Sequence, residues 1–138
     1  MTEKSCGTVL YTIKNDVVHY LLIQIKGGWN CGFPKGHMEN NETEEETAVR
    51  ETWEETSIKA EIIPDFRREI KYKMYGGIEK TVVYFLARYD CQMPKHNDGF
   101  ENLNYLLLPF DKAYKMLTFD NTKVILKAAD EYIKKHNL

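Results

Sequence analysis

A chain of 138 residues, 43% hydrophobic and 29% charged, has the length and composition of one ordinary domain (1–138), able to bury a core without covalent staples. Its net charge of −2 gives no basic footprint for duplex nucleic acid, and no apolar run approaches a membrane span, which weighs against both classes of partner. Cys6, Cys31 and Cys91 are odd in number, widely spaced and in no CxxC pair, so they read as reduced thiols; residues 1–7 lack the apolar run of a signal peptide, and the expected location is the cytoplasm.

In chain order, Ser5 to Ile13 and Val17 to Ile25 are rich in β-branched and apolar residues around Asn15-Asp16, which predicts a hairpin. Both faces of the second run are apolar, so that strand is expected to be covered on two sides, with His19 packed or at an edge. The segment from Lys26 to His37 is glycine-rich and reads as a loop, where glycines let a ligand approach the backbone and Pro34 stiffens the entry to Gly36. Lys35 and His37 flank that glycine and are the candidate phosphate contacts.

Thr43 with Glu46 three residues on is a capping box, so a helix begins there. On it Glu51, Glu54 and Glu55 fall on one face, while Val49 and Trp53 are expected to turn toward the core from the other. Glu44, Glu45 and Glu46 read as a solvated first turn. Three neighbouring carboxylates raise one another's pKa unless a cation neutralises them, and all-oxygen donors suit a hard divalent ion, Mg²⁺ before Mn²⁺.

Beyond the helix, Lys59 to Phe66 reads as a strand that Pro64 marks as an edge or bulge. Arg68 to Met74 and Lys80 to Tyr89 form a second hairpin around Gly76-Gly77, and Cys91 to Phe100 is a loop. Leu103 to Leu108 is a short strand ended by Pro109. Asp111 to Leu117 is a short helix with Ala113, Met116 and Leu117 inward. A longer helix capped by Asp120 or Asn121 turns Ile125, Ala128, Ala129, Tyr132 and Ile133 inward. This order predicts an α+β domain with a mixed sheet between helical layers.

Gly36, five residues, Glu42, seven residues and then Arg50-Glu51-x-x-Glu54-Glu55 resembles the signature of the Nudix hydrolases. Thr52 and Ser57 depart from it, standing where the family usually has an aliphatic residue and a glycine; neither change removes a carboxylate. The resemblance implies an α/β/α sandwich. It also implies a divalent-metal site built from Glu51, Glu54, Glu55 and the Gly36 carbonyl, with Glu101 approaching from outside the helix and Arg50 orienting the carboxylates. Glu55 or Glu101 would take the proton from the attacking water.

Three segments are similar to the asymmetric diadenosine tetraphosphate hydrolase branch: Phe33 to His37, Lys80 to Ala87, and Glu101 to Asn121 with its Leu117-Thr118-Phe119-Asp120-Asn121 run. Asn102 and Leu107 stand where that branch usually has histidine and tryptophan. The implied reaction is hydrolysis of a dinucleoside polyphosphate to ATP and AMP by a monomer or weak dimer. Among the aromatic candidates for stacking the base, Tyr72, Tyr84, Tyr105, Phe119 and Tyr132, the resemblance selects Tyr72, Phe119 and Tyr132. The competing expectations are another Nudix substrate (an RNA 5′ end, a nucleoside triphosphate or an inositol pyrophosphate) and a non-catalytic nucleotide-sensing module.

Overall fold

The computed structural model describes residues 2–138. Strands β1 (Thr2–Lys14) and β2 (Val17–Ile25) form the expected hairpin, and Asn15 and Asp16 both adopt positive φ, as a two-residue turn matching strand twist demands. Tyr20 to Ile23 are buried, as expected for a strand covered on both faces. The glycine-rich segment is more ordered than its composition suggests: it holds β3 (Cys31–Gly32), on β2, and β4 (Lys35–His37), which pairs Gly36 with Cys6 of β1.

Helix α1 (Glu44–Thr56) starts at the predicted box, with Thr43 Oγ1 accepting Glu46 N–H at 3.1 Å and Glu46 Oε1 accepting Thr43 N–H at 2.8 Å. Its core face corrects the expectation. Thr47, Ala48, Thr52 and Thr56 are buried, whereas Val49 is half-buried and Trp53 is 48% exposed. The helix lies so close to β1 that Thr52 Oγ1 meets Thr8 Oγ1 at 2.8 Å, and only small side chains fit such an approach. Glu44 is not simply solvated either, because Arg67 and Lys4 both pair with it.

Strand β5 (Glu61–Lys73) runs through Pro64 with a register shift between Ile62 and Arg67, the bulge that a proline in a strand foretells. Strand β6 (Glu79–Arg88) pairs with β5 and, in parallel, with β1; β7 (Leu103–Pro109) pairs with β2. Along β6, Val82, Tyr84 and Leu86 face α2 (Phe110–Met116) and α3 (Asp120–Lys135), while Val83 and Phe85 face Ala48 of α1. The result is the expected α+β sandwich with its mixed sheet between helical layers.

Two expectations for the last helices change. Met116 is 40% exposed, leaving Ala113 and Leu117 as the inner face of its helix, and the N-cap of α3 is Phe119, with Asp120 as its first helical residue. Buried Tyr20 donates to Asp130 Oδ1 at 2.6 Å and so ties α3 to the sheet. Among the described residues, no helix is long and apolar enough to cross a membrane.

Candidate active site

The site begins with a close approach. Gly36, fixed by its pairing to β1, lies against the Glu51 carboxylate, which fills the space a Cβ would need. Arg50 organises the acids around it. Its Nε donates to Glu42 Oε2 at 2.6 Å, its Nη1 to Glu51 at 2.8 Å and to Glu54 at 3.1 Å, and its Nη2 to the His37 carbonyl at 3.0 Å. Hydrogen bonds from Arg50 hold the Glu42 carboxyl down at about 2, so Glu42 is a fixed anion that anchors the guanidinium.

The inner acids behave oppositely. Burial raises the Glu51 pKa despite Arg50, with repulsion from Glu54 adding to it. Burial pushes Glu55 up to about 7, opposed by the Lys35 N–H that donates to its Oε1 at 2.9 Å and reinforced by Glu51. Carboxylate oxygens in such a field fit a hard divalent cation, which would relieve both desolvation and repulsion. Among the described residues, no three acidic, histidine or cysteine side chains already converge on one cation-sized point. In this arrangement Arg50 holds Glu51 and Glu54, while Glu55 is drawn to the Lys35 backbone.

The far end of α1 is secured from a distance. Asn97 Nδ2 donates to the carbonyls of Trp53 at 2.7 Å and Glu54 at 3.0 Å, Tyr105 Oη to that of Glu55 at 2.5 Å, and Lys95 N–H to that of Thr56 at 2.9 Å. The Ser57 N–H also caps the Trp53 carbonyl at 2.7 Å, and the last three carbonyls of α1, which a helix leaves unpaired, are satisfied by the loop after β6 and by β7. Glu101 belongs to that loop, where its Oε2 accepts Gly99 N–H at 3.1 Å. Sequence reading had no signal for Asn97 or for this use of Tyr105.

On the phosphate side, Lys35 is exposed as a residue, and lost hydration of its ammonium, then Lys80, lower its pKa. His37 is exposed and reaches Lys80 Nζ at 3.2 Å, and Lys80 also donates to Ser5 Oγ at 2.7 Å. Lys80 was not singled out in the sequence; the available signal was a lysine opening an otherwise apolar central strand, where it is only 5% exposed.

Next to Lys35 lies a cavity of about 320 Å³ walled by Tyr72, Tyr84, Val82 and Phe119. Tyr72 and Phe119, 39% and 54% exposed, line it. The structure does not bring Tyr132 there. Its ring packs edge-on against Phe66 at 5.5 Å and its hydroxyl donates to the Pro64 carbonyl at 2.9 Å, so it braces α3 against the β5 bulge.

The NUDIX domain model matches residues 4–128. The chain is 31% identical to the asymmetrical bis(5′-nucleosyl)-tetraphosphatase of Rattus norvegicus, over 96% of this chain and 97% of that one, and the protein of the same name from Sus scrofa gives the same figures. Among solved structures, a binary complex of the C. elegans Ap4A hydrolase superposes with a TM-score of 0.86 at 24% identity, covering 96% of this chain and 98% of that one. That last likeness bears on the fold.

Proposed function

The chain belongs to the NUDIX family as a pyrophosphohydrolase, and from that premise we propose that it hydrolyses diadenosine tetraphosphate to ATP and AMP. The observation that supports this reading most directly is the juxtaposition of the Arg50-centred acids with Lys35 and an aromatic cavity. A phosphoanhydride needs its anionic charge met, its reacting phosphorus oriented and its nucleoside held, and these three elements stand side by side.

Nudix hydrolases need a divalent metal, and here Mg²⁺, or Mn²⁺ in its place, is assigned to Glu51, Glu54, Glu55 and the Gly36 carbonyl, with Glu101 as the outer contribution. When bound, the ion neutralises phosphoryl oxygens and lowers the pKa of coordinated water. Lys35 and His37 receive phosphate oxygens, and Lys80 sets their local charge. Tyr72 and Phe119 hold the adenine. A carboxylate accepts the proton of the attacking water as its oxygen bonds to phosphorus and one bridging P–O bond breaks. Glu55, whose Oε1 accepts the Lys35 N–H, is preferred for this over Glu101, whose Oε2 accepts Gly99 N–H.

A small nucleotide substrate and a monomer or weak dimer belong to the same proposal. Three free cysteines suit a reducing compartment, the cytoplasm. A substrate panel tests the reading. Diadenosine tetraphosphate should give the highest kcat/KM, ahead of RNA 5′ triphosphate, nucleoside triphosphates and inositol pyrophosphates; preference for any of these would replace the proposed substrate.

A further inference from the structure

Glu54 and Glu55 stand on the last turn of α1, the part of a helix that ordinarily frays. No basic side chain in that turn offsets the negative pole of the helix. Carboxylates that share a cation tolerate little such play, because they must be held close to their working geometry by the residues around them. The turn therefore has to be fixed from outside the helix.

Half-buried Asn97 does this from the loop after β6. Its Nδ2 donates to the carbonyls of Trp53 at 2.7 Å and Glu54 at 3.0 Å; both partners are acceptors, so only the nitrogen of the amide fits there. Its own carbonyl accepts Phe100 N–H at 3.0 Å and closes a turn from Asn97 to Phe100, in which Gly99 takes a φ of 89°. Glu101 follows that turn directly, and its Oε2 accepts Gly99 N–H at 3.1 Å. One side chain thus joins the helical turn carrying Glu54 to the loop turn presenting Glu101.

We propose that Asn97 is a positioning residue that sets the separation of Glu101 from Glu54 and thereby tunes the divalent-metal site. This rests on the hydrolase reading and its metal assignment, and adds to them a residue outside the carboxylates. Tyr105 and Lys95 steady the neighbouring carbonyls of Glu55 and Thr56, but Asn97 is the one that also begins the turn leading to Glu101. A residue serving the helix end alone would affect stability and leave the metal site as it is.

The test uses the full chain carrying Asn97→Ala, Asn97→Asp, Glu101→Gln, or Asn97→Ala with Glu101→Gln, each checked for folding by thermal unfolding. Mn²⁺ binding is followed by electron paramagnetic resonance without nucleotide, and turnover of diadenosine tetraphosphate with Mg²⁺ well below the melting temperature. Asn97→Ala should weaken Mn²⁺ binding about tenfold and lower kcat by a similar factor, with KM changed by less than about twofold. Asn97→Asp keeps the shape but offers no donor, so it should do no better. In the Glu101→Gln background the loss from Asn97→Ala should shrink to about twofold or less.

A lowered melting temperature with unchanged Mn²⁺ affinity and kcat would reduce Asn97 to a cap and overturn the proposal, as would full, independent losses in the double variant. A wild-type protein that binds Mn²⁺ but cleaves no dinucleotide would overturn the hydrolase reading alone, with the Mn²⁺ comparison still deciding for or against Asn97. One that binds no Mn²⁺ would overturn both.

Discussion

The Glu51 carboxylate occupies the volume in which a side chain on Gly36 would have to stand. Gly36 is held by the β1–β4 pairing and Glu51 by Arg50, so neither can retreat freely. Gly36→Ala is expected to displace the carboxylate and lower kcat/KM by about 100-fold, the usual effect of ångström-scale misplacement in a reacting array. Circular dichroism and the melting temperature should change little by comparison. Full activity in this variant would show that the Gly36–Glu51 contact does not position the site.

Buried Thr8 and Thr52 bond to each other across the seam between β1 and α1. Thr52→Val leaves the Thr8 hydroxyl without its partner and should destabilise the protein by about 1–3 kcal/mol. The double variant Thr8→Val/Thr52→Val replaces both partners with isosteric apolar groups and should recover most of that loss. Denaturant unfolding of the complete cycle checks it, and additive losses would mean that the two residues act independently.

Ser57 closes α1 with φ 60°, where a non-glycine residue is strained by roughly 1–2 kcal/mol. Among the described residues, its buried hydroxyl has no hydrogen-bond partner. Ser57→Gly is therefore expected to raise the melting temperature. An unchanged or lower value would show that the hydroxyl is satisfied in solution or that the turn is not strained.

Glu44 accepts hydrogen bonds from Arg67, then pairs with Lys4, and these hold its carboxyl down at about 2, against an ordinary value of 4.5. A carboxyl whose pKa is lower folded than unfolded stabilises fully above the unfolded value, and that contribution fades as pH falls from about 4.5 through about 2. Glu44→Gln should consequently flatten the acid limb of the stability–pH curve over that window. Identical acid limbs in variant and wild type would dismiss the pair as a contributor.

Local chemistry was readable in the sequence, while distant partnerships were not. The Thr43–Glu46 box, the Asn15-Asp16 turn and the Pro64 bulge each arise within a few residues, and each appears in its predicted place. Glu51, Glu54 and Glu55 were legible because helical spacing groups them, and Arg50 because the family signature includes it. Trp53 was misread because hydrophobicity promised burial, whereas the close approach of α1 to β1 admits only threonine and alanine there. Asn97 and Tyr105 secure carbonyls 43 to 50 residues away along the chain, and no periodicity announces such a contact. Tyr132 has the right spacing for its helix, yet only the folded packing shows that it serves the β5 bulge rather than the cavity.

Product analysis distinguishes asymmetric cleavage of a dinucleoside polyphosphate by the acids gathered around Arg50 from every other outcome. Diadenosine tetraphosphate and Mg²⁺ would be incubated with wild-type protein and with Glu54→Gln, and the nucleotides separated by chromatography. ATP and AMP in equal amounts are expected from the wild type, and a rate lower by about 100-fold or more from the folded variant. Two molecules of ADP, or undiminished turnover by Glu54→Gln, would contradict it.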